Sequence, residues 1–245
     1  NGGEPKSQCL NCSVGAPLGM LPTVYRKWHE FLGWFTAKEG GAKVSETTPI
    51  TQNTTLFARW RETHPEFEFK GDIVIGYRGT SVNIMIPDGV SAIGDQAFAD
   101  MEIEGVVFPD SLVSIGSGAF ENDYYLDNVV IPDSVQTIDE RAFKNCTEMI
   151  ALTFGAGLKS VECSAFENCI SLEKVEFAEG LESIGARAFA SSIGTMRLKS
   201  VSLPASLTSI GDDSFAGCDY ITGVTVPTHL KTLNEIFPDS FSKIE

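Results

Sequence analysis

Residues 131–153 read IPDSVQTIDERAFKNCTEMIALT, and residues 154–176 read FGAGLKSVECSAFENCISLEKVE. The Ala-Phe pair that both segments share belongs to a series of phenylalanines that recurs every 22 to 26 residues. The members of the series are Phe98, Phe120, Phe143, Phe166, Phe189 and Phe215. Such self-similarity is typical of a solenoid, because each unit is too small to bury its own apolar face and must stack on its neighbours. The repeat therefore predicts one continuous core with the six rings in a single stack.

Each unit contains two short segments that predict strands. The first ends in an apolar alternation such as Val129/Ile131, the pattern of a strand with one buried face. A proline such as Pro132 usually follows, and because proline cannot donate to a ladder it should end the strand. The second segment often ends in Ile-Gly, as at Ile115-Gly116, where glycine suits a tight corner. The Ala-Phe pair that comes next is expected on a single helical turn.

One interval breaks the period. Between Phe189 and Phe215 the chain holds three extra residues, within Ser191 to Lys199. An insertion that keeps the flanking pattern maps to a loop, so we expect a bulge there beside an intact ladder.

Charge is distributed unevenly over the chain. The formal net charge is −15, but residues 62–245 carry eleven Lys/Arg against 29 Asp/Glu. An acidic array repels phosphate backbones, which argues against nucleic acid as a partner. The longest uncharged apolar run, Met149 to Leu158, is too short to cross a bilayer, so we expect no membrane insertion within this fragment. The chain lacks an initiator Met, and Phe241 to Glu245 resembles the interior of another repeat, so we expect that the native polypeptide continues.

The first 60 residues show no trace of the period. They are rich in Gly, Thr and aromatic residues, and alternations such as Thr55-Leu-Phe-Ala-Arg-Trp60 predict strands. Residues 61–80 form a junction in which Phe67-Glu-Phe69 and Ile73 to Tyr77 flank Gly71-Asp72, a hairpin signal. A solenoid needs its first coil covered, and this hairpin is well placed to act as the cap.

Residues 81–245 resemble the BspA-like leucine-rich repeats of bacterial surface proteins, with IP-x-x-(V/L)-x-x-I-G-x-x-A-F-x-x-C-x-x-L as the unit. The resemblance implies a right-handed leucine-rich-repeat coil with parallel strands on one face. Residues 1–60 look like the Listeria–Bacteroides repeat, or internalin B-repeat, through Phe31-Leu-Gly-Trp34-Phe35 and Asn53 to Trp60. That resemblance implies a small β-grasp-like module. The expected fold class is therefore mainly β, a leucine-rich-repeat solenoid with short helical turns preceded by this module.

The cysteines offer little chemistry. Cys9-Leu-Asn-Cys12 is a CxxC, but its flanks read as a strand, where residues three apart point to opposite faces. A zinc site would need two further ligands, and no second CxxC or His pair lies nearby in the sequence. Three cysteines at one repeated position are interpreted as small buried hydrophobes: Cys146, Cys169 and Cys218. Cys146 and Cys169 fall in adjacent coils, and a disulfide between them is left open, as is one between Cys9 and Cys12.

Catalytic patterns are absent from the sequence. His29-Glu30 begins like HExxH, but Gly33 occupies the place of the second His. No calcium loop of the D-x-[DN]-x-[DN]-G type occurs, although the array is acidic. We therefore expect no enzyme activity, no cofactor and no metal.

The remaining candidate site is the outward face of the predicted strands. Stacked at about 4.8 Å, six or seven coils give a ribbon of roughly 25–35 Å, which suits a macromolecule better than a small ligand. Exposed apolar residues and tyrosines are what contact surfaces use. The predicted partner-binding residues are Val107, Tyr124, Tyr125, Val130, Ile150, Thr153 and Glu176. The alternative is that β-branched residues are there because they favour strands.

These observations point to a non-enzymatic extracellular protein of a bacterial cell surface that binds another macromolecule through a rigid solenoid. The resemblance implies adhesion to a protein of a host, of its matrix or of a neighbouring cell. A carbohydrate-binding array is one alternative, for which Tyr124, Tyr125 and Tyr220 are the candidate aromatic contacts in the repeats. A passive stalk of a larger surface protein is the other.

Overall fold

The computed structural model describes residues 13–230. The chain divides after Pro65 into two compact units, Asn1–Pro65 and Glu66–Glu245. Cys9 and Cys12 lie outside the described residues, and so does the end of the chain from position 231. None of the helices in the described part is long and apolar enough to cross a membrane.

The first unit is built on a small antiparallel sheet. Its strands are β1 (His29–Phe35), β2 (Lys43–Val44) and β3 (Phe57–Glu62), in the order β2-β1-β3. The Phe31 ring contacts Trp34 and Trp60, with centroids at 5.7 and 5.2 Å. These aromatic side chains are only half-buried.

The second unit is a coil of short strands. Its elements are β4 (Phe67–Lys70), β5 (Ile73–Tyr77), β6 (Asn83–Met85), β7 (Ala92–Ile93), β8 (Gly105–Val107), β9 (Ser114–Ile115), β10 (Asn128–Val130), β11 (Thr137–Ile138), β12 (Ala151–Thr153), β13 (Ser160–Val161), β14 (Lys174–Glu176), β15 (Ser183–Ile184), β16 (Ser200–Ser202), β17 (Ser209–Ile210) and β18 (Gly223–Thr225). No helix occurs within residues 66–230. The unit is thus the predicted leucine-rich-repeat solenoid.

Successive coils pair in parallel along two faces. Three-residue strands form the long-strand face, with β6-β8 at its start and β10-β12-β14-β16-β18 continuing it. The break in strand pairing between β8 and β10 is bridged by the Asp127 N–H, which donates to the Glu104 carbonyl at 3.2 Å. Two-residue strands form the second face, which the longer hairpin strands β5 and β4 extend, in the order β17-β15-β13-β11-β9-β7-β5-β4. In both faces equivalent residues of neighbouring units are in register, so the sequence period becomes a spatial repeat.

The six repeated phenylalanines form one stack. Consecutive ring centroids lie 5.0, 5.1, 5.1, 5.2 and 5.3 Å apart, with interplanar angles of 3° to 7°. All six rings are at most 1% exposed. The separation follows the distance between coils, and parallel offset rings at this spacing attract one another. The predicted continuous stack is confirmed.

The Ala-Phe segments differ from the predicted helical turns in their hydrogen bonding. The Phe120 N–H donates to the Ala142 carbonyl at 2.7 Å, and the Phe143 N–H donates to the Ala165 carbonyl at 2.8 Å. These N–H groups therefore bond to the next coil, whereas a helix would need them within its own turn. Each segment is instead a hydrogen-bonded turn, and the backbone ladder continues along a third edge of the solenoid.

Asparagine side chains reinforce that edge. The Asn145 amide donates to Asn122 Oδ1 at 2.7 Å, and the Asn168 amide donates to Asn145 Oδ1 at 2.8 Å. The three asparagines have φ of +68°, +64° and +66°, a left-handed conformation that asparagine tolerates better than most residues. The ladder ends where Asn168 Oδ1 accepts from the Ser192 N–H at 2.8 Å.

The hairpin of residues 67–77 covers the first coil. Strands β4 and β5 pair antiparallel, and β5 pairs in parallel with β7, so the hairpin forms the edge of the two-residue-strand face. The rings of Phe67 and Tyr77 contact Phe98, with centroids at 6.4 and 5.9 Å. The first ring of the stack is therefore shielded from water by two further aromatic rings.

The repeated cysteines are buried free thiols, as predicted. Each Sγ donates to the carbonyl of a phenylalanine in the preceding coil at 3.3 Å, as Cys146 does to Phe120. Burial raises the pKa of Cys146 well above its usual value and that of Cys169 to about 12, which keeps these thiols protonated. Cys163 lies at a different place in its coil and is exposed.

Candidate partner-binding surface

The long-strand face positions the candidate residues. In each three-residue strand the middle side chain points into the core, as Val129 does with 1% exposure, and the two flanking positions point outward. The pleat of a strand requires this alternation. Because neighbouring strands are in register, Val130, Thr153 and Glu176 are direct neighbours in a single row across β10, β12 and β14. Three predicted site residues are thus brought together.

The same row begins with apolar residues at its amino-terminal end. Met85 in β6 is in register with Val107 in β8, and Val130 in β10 occupies the equivalent position of the following unit. These side chains are 72%, 58% and 65% exposed. We call Met85, Val107 and Val130, together with Ile150, the apolar ridge.

Ile150 lies in a different row, one position before the row of Asn128, Ala151 and Lys174. It precedes β12, its N–H donates to the Asp127 carbonyl at 2.9 Å, and its own carbonyl accepts from the Glu173 N–H at 3.0 Å. Ile150 is 48% exposed. The residues that it bonds to in the two adjacent coils, Asp127 and Glu173, are both acidic. Tyr124 and Tyr125 lie before β10 and are 48% and 46% exposed. The seven predicted residues therefore occupy two rows and the segment that enters β10.

Met85 is the member of the ridge that the sequence analysis missed. Asn83-Ile-Met85 stands before Ile86-Pro87, which is the same pattern as the other three-residue strands with their terminal proline. The short segment lies next to the junction at residues 61–80, and the predicted set of outward residues begins one unit later, at Val107. Counting back one unit from Val107 would have identified it.

The carboxyl-terminal half of the face is polar. The first row continues through Thr153, Glu176, Ser202 and Thr225. Lys174 Nζ lies 2.5 Å from Glu176 Oε1 on the same strand. This ion pair is exposed and contributes little to stability. The face therefore changes from apolar to charged along the solenoid.

Two buried carboxyl groups lie outside this surface and serve the coil. Glu167 is desolvated, but hydrogen bonds from Arg187 and Lys144 outweigh burial and lower its pKa. Asp123 occupies the position of the repeated cysteines, and burial raises its pKa to about 8. Its Oδ1 accepts from the Ile103 N–H at 3.5 Å, while Oδ2 has no hydrogen-bond partner among residues 13–230. Asp123 is a cost to folding that a cysteine would avoid.

The candidate surface carries side chains that are suited to contacts with a partner. Its exposed groups are aliphatic side chains, phenols, hydroxyls and carboxylates. In the described part of the chain, no group of three or more His, Cys, Asp or Glu could hold a metal ion. The expectation of no catalysis therefore continues to rest on the sequence.

Comparison with known proteins places the repeats in a family. The family model described as BspA type leucine rich repeat region matches in six copies over residues 77–196 and 193–244. No curated protein gives a significant match.

Several solved structures are similar to the chain. A leucine-rich repeat protein of T. pallidum is 27% identical, with a TM-score of 0.47, over 67% of this chain and 70% of that protein. A leucine-rich cell surface protein of Faecalibacterium prausnitzii is 26% identical, with a TM-score of 0.46, over 64% of this chain and 52% of that protein. A leucine-rich repeat protein of Bacteroides ovatus is 24% identical, with a TM-score of 0.47, over 66% and 39%. The chain thus spans from about two fifths to about two thirds of these proteins.

Proposed function

We propose that this chain, which belongs to the BspA-type leucine-rich repeat family, is a non-enzymatic bacterial cell-surface protein that binds a protein partner through its long-strand face. The observation that carries the proposal is the exposure of the apolar ridge. Met85, Val107 and Val130 follow one another on consecutive units, each more than half exposed. Contiguous exposed apolar residues on a soluble surface are typical of contact sites.

The backbone below the ridge supports tight docking. Each ridge residue sits beside a core residue that is almost fully buried, such as Val129 next to Val130. The strands are hydrogen-bonded to one another in a parallel ladder, and the phenylalanine stack lies in the core of the same coils. Contact residues that are already fixed lose little conformational entropy on association, so more of the contact energy appears as affinity.

The charge around the ridge specifies the chemistry of the partner. Glu104 and Asp127 are exposed at the start of the strands that carry Val107 and Val130. The unit as a whole is strongly acidic. A complementary partner therefore presents an apolar patch with basic side chains at its rim, and its association is faster at low salt. Tyr124 and Tyr125 would contact the edge of that patch.

We also infer the roles of the parts of the chain. Residues 1–60 form a Listeria–Bacteroides repeat module of β-grasp-like type, residues 61–80 are the junction with the capping hairpin, and residues 81–245 are the solenoid. The antiparallel sheet of β1, β2 and β3 supports the first assignment, since the motif residues Phe31 to Phe35 fall in β1. The module acts as a spacer or as a second contact. The family supports an extracellular location at the bacterial surface.

Binding to purified extracellular-matrix proteins tests the proposal. The full chain is immobilised and a panel of such proteins is passed over it by surface plasmon resonance. Val130→Asp and Met85→Asp place a charge on the ridge and should weaken binding at least about tenfold, because a buried unpaired charge costs more than 1.4 kcal/mol.

A matched control comes from the other face. Val113 is an exposed valine just before β9, and Val113→Asp makes the same chemical change away from the ridge. This variant should bind as the parent does. Loss of binding in all three variants, or in none, would contradict the assignment of the ridge. A chain that binds no protein of the panel would instead favour a passive stalk.

A further inference from the structure

A groove opens on the carboxyl-terminal half of the solenoid, next to Ile150 at the end of the apolar ridge. Three successive coils line it, through Ile170 to Glu173, Thr195 to Lys199 and Tyr220 to Thr222. Its volume is about 740 Å³, within the range of sites for small ligands. The middle wall belongs to the interval with the three extra residues.

The insertion creates the groove by lengthening one coil. Ser192 to Thr195 leave the core as an exposed loop, and the chain returns at Met196. The Met196 side chain is fully buried and its Sδ lies 3.7 Å from Cys218 Sγ, so it fills the space of the cysteine that this unit lacks. The Arg197 N–H then donates to the Ile170 carbonyl at 2.9 Å, which rejoins the ladder. The predicted bulge beside an intact ladder is confirmed.

Where the chain rejoins the ladder, two cationic side chains line the groove, Arg197 and Lys199. Lys199 Nζ lies 2.6 Å from Glu173 Oε2, so its charge is matched. The exposed guanidinium of Arg197 makes no ion pair or hydrogen bond with any residue in 13–230. The nearest additional carboxylate, Asp219, accepts a hydrogen bond from Thr195 Oγ1 at 3.5 Å. On an otherwise acidic unit, Arg197 therefore offers an exposed positive group to a ligand, although its charge also acts on the neighbouring Glu173 carboxylate.

The remaining lining is suited to a polar ligand with a flat face. Tyr220 is 58% exposed and contributes the aromatic ring of the lining. Ser171, Thr195 and Thr222 add hydroxyl groups, and Ile170 is the aliphatic member of the lining. An aromatic ring, several hydroxyls and one free guanidinium together match a sugar that bears a carboxylate.

We propose that this groove binds a carboxylate-bearing sugar, such as a uronic or sialic acid residue of a glycan. The Arg197 guanidinium donates two parallel hydrogen bonds to the carboxylate, and Tyr220 packs against the face of the sugar ring. Thr222 and Ser171 bond to the sugar hydroxyls. The site shares no residue with the apolar ridge and adds a second ligand class to the protein-binding function.

Two competing ligands fit the groove less well. A peptide would gain most by adding a strand to a free sheet edge, but β14 and β16 already pair on both sides. A phosphate backbone carries many charges and would meet the surrounding acidic surface, whereas one sugar carboxylate needs a single cation, Arg197. The local geometry thus favours a single acidic sugar unit.

Calorimetric titration of the full chain tests this proposal with four saccharides. Tetragalacturonate and 3′-sialyllactose carry the carboxylate, and the methyl ester of tetragalacturonate and lactose are their neutral counterparts. At least one acidic saccharide should bind with measurable heat, and its neutral counterpart should not. Which acid binds distinguishes a uronic acid from a sialic acid as the source.

Variants assign the binding to the groove. Arg197→Gln and Tyr220→Ala should each weaken binding about tenfold or more, since a hydrogen bond to a charged group contributes about 1.5–3 kcal/mol. Arg197→Lys should restore part of the loss, because it keeps the charge without the fork. Arg141→Gln removes an exposed cation from the turn edge and should leave the affinity unchanged.

Three outcomes would overturn the proposal. The first is the absence of heat with both acidic saccharides, and the second is equal affinity for acidic and neutral ones. The third is equal binding of tetraglutamate, which would indicate an acidic-peptide site. All substituted side chains are exposed, and an unchanged melting temperature of each variant shows that the fold is intact.

Discussion

The two compact units bury aromatic side chains to very different degrees. Among the described residues of the first unit, the buried hydrophobic side chains are Val24, Val44 and Ala58, and the rings that meet at Phe31 remain half-exposed. In the solenoid, every ring of the stack from Phe98 to Phe215 is at most 1% exposed. The less buried unit has the longer strands, seven residues in β1 and six in β3 against two or three in the repeats, so strand length does not explain the contrast.

Repetition explains it. A single three-stranded sheet has two edges and one layer, and too little surface to enclose a large ring. In a stack of coils, each ring is covered above and below by its equivalents in the neighbouring units. The hairpin of β4 and β5 supplies the cover that the first coil would otherwise lack. A buried aromatic core therefore depends on neighbours rather than on the size of one unit.

Among the substitutions that test the contrast between the two units, Phe143→Ala should have the largest effect. It removes a fully buried ring from the middle of the stack and should lower the free energy of unfolding of the solenoid by about 3–5 kcal/mol. Phe31→Ala, its counterpart in the first unit, should cost only about 1 kcal/mol because the ring is half-exposed.

The chain allows the two effects to be measured separately in urea. All three tryptophans, Trp28, Trp34 and Trp60, lie in the first unit, so tryptophan fluorescence reports that unit alone. Far-UV circular dichroism reports mainly the larger solenoid. Phe143→Ala should shift the dichroism transition and leave the fluorescence transition in place. Equal shifts of both transitions by either variant would contradict separate cores.

The stack and its cap could be predicted because they depend on local repetition. A period near 23 residues fixes which side chains are equivalent, and parallel stacking then brings equivalents together. The segment Phe67-Glu-Phe69 and its partner up to Tyr77 carried the alternation and turn residues of a hairpin. The turn at each Ala-Phe pair could not be predicted from the sequence, because the carbonyl that accepts from the phenylalanine N–H lies in the next coil.

Asp123→Cys sharpens the comparison among the units of the solenoid. Asp123 is buried where other units have a cysteine, and its pKa of about 8 in the folded state lies above the usual 3.8. A group with a raised folded pKa stabilises the fold at pH values below its unfolded pKa, and this contribution is lost as the pH rises towards 8. Between pH 5 and 8 the loss is roughly 4 kcal/mol at most.

The variant should therefore be more stable than the parent at pH 8, and the advantage should shrink as the pH falls to 5. Urea unfolding followed by circular dichroism at several pH values measures the difference between the two curves. Other carboxyl groups, such as Asp139, titrate in both proteins and cancel in that difference. Parallel curves would mean that the Asp123 carboxyl is not desolvated in the core.

Asn145→Ala should have the smallest effect of the three. It removes the hydrogen bonds to Asn122 and from Asn168 and places alanine at a φ of +64°. We expect a loss of about 2–3 kcal/mol from the two bonds and the backbone strain. Asn145→Gly loses the bonds without the strain and should cost about 1–2 kcal/mol in the same urea experiment. If glycine were as stable as asparagine, the ladder would contribute nothing.

The two proposed binding surfaces could be predicted only in part from the sequence. Val107 and Val130 follow from alternation, because each flanks a strand residue that the repeat places in the core. The groove does not follow, because the sequence does not show which residue re-enters the ladder after an insertion. Met196 takes the space that the alignment gives to Ser192, and this choice determines that Arg197 and Tyr220 line one cavity.

A crystal structure of the full chain tests the central claim most directly. We predict six phenylalanine rings, from Phe98 to Phe215, in one line with neighbouring centroids 5.0–5.3 Å apart and planes within 7° of parallel. Rings that lie in separate cores, or adjacent rings that do not touch, would contradict the stack and with it the rigid face on which both proposed sites depend.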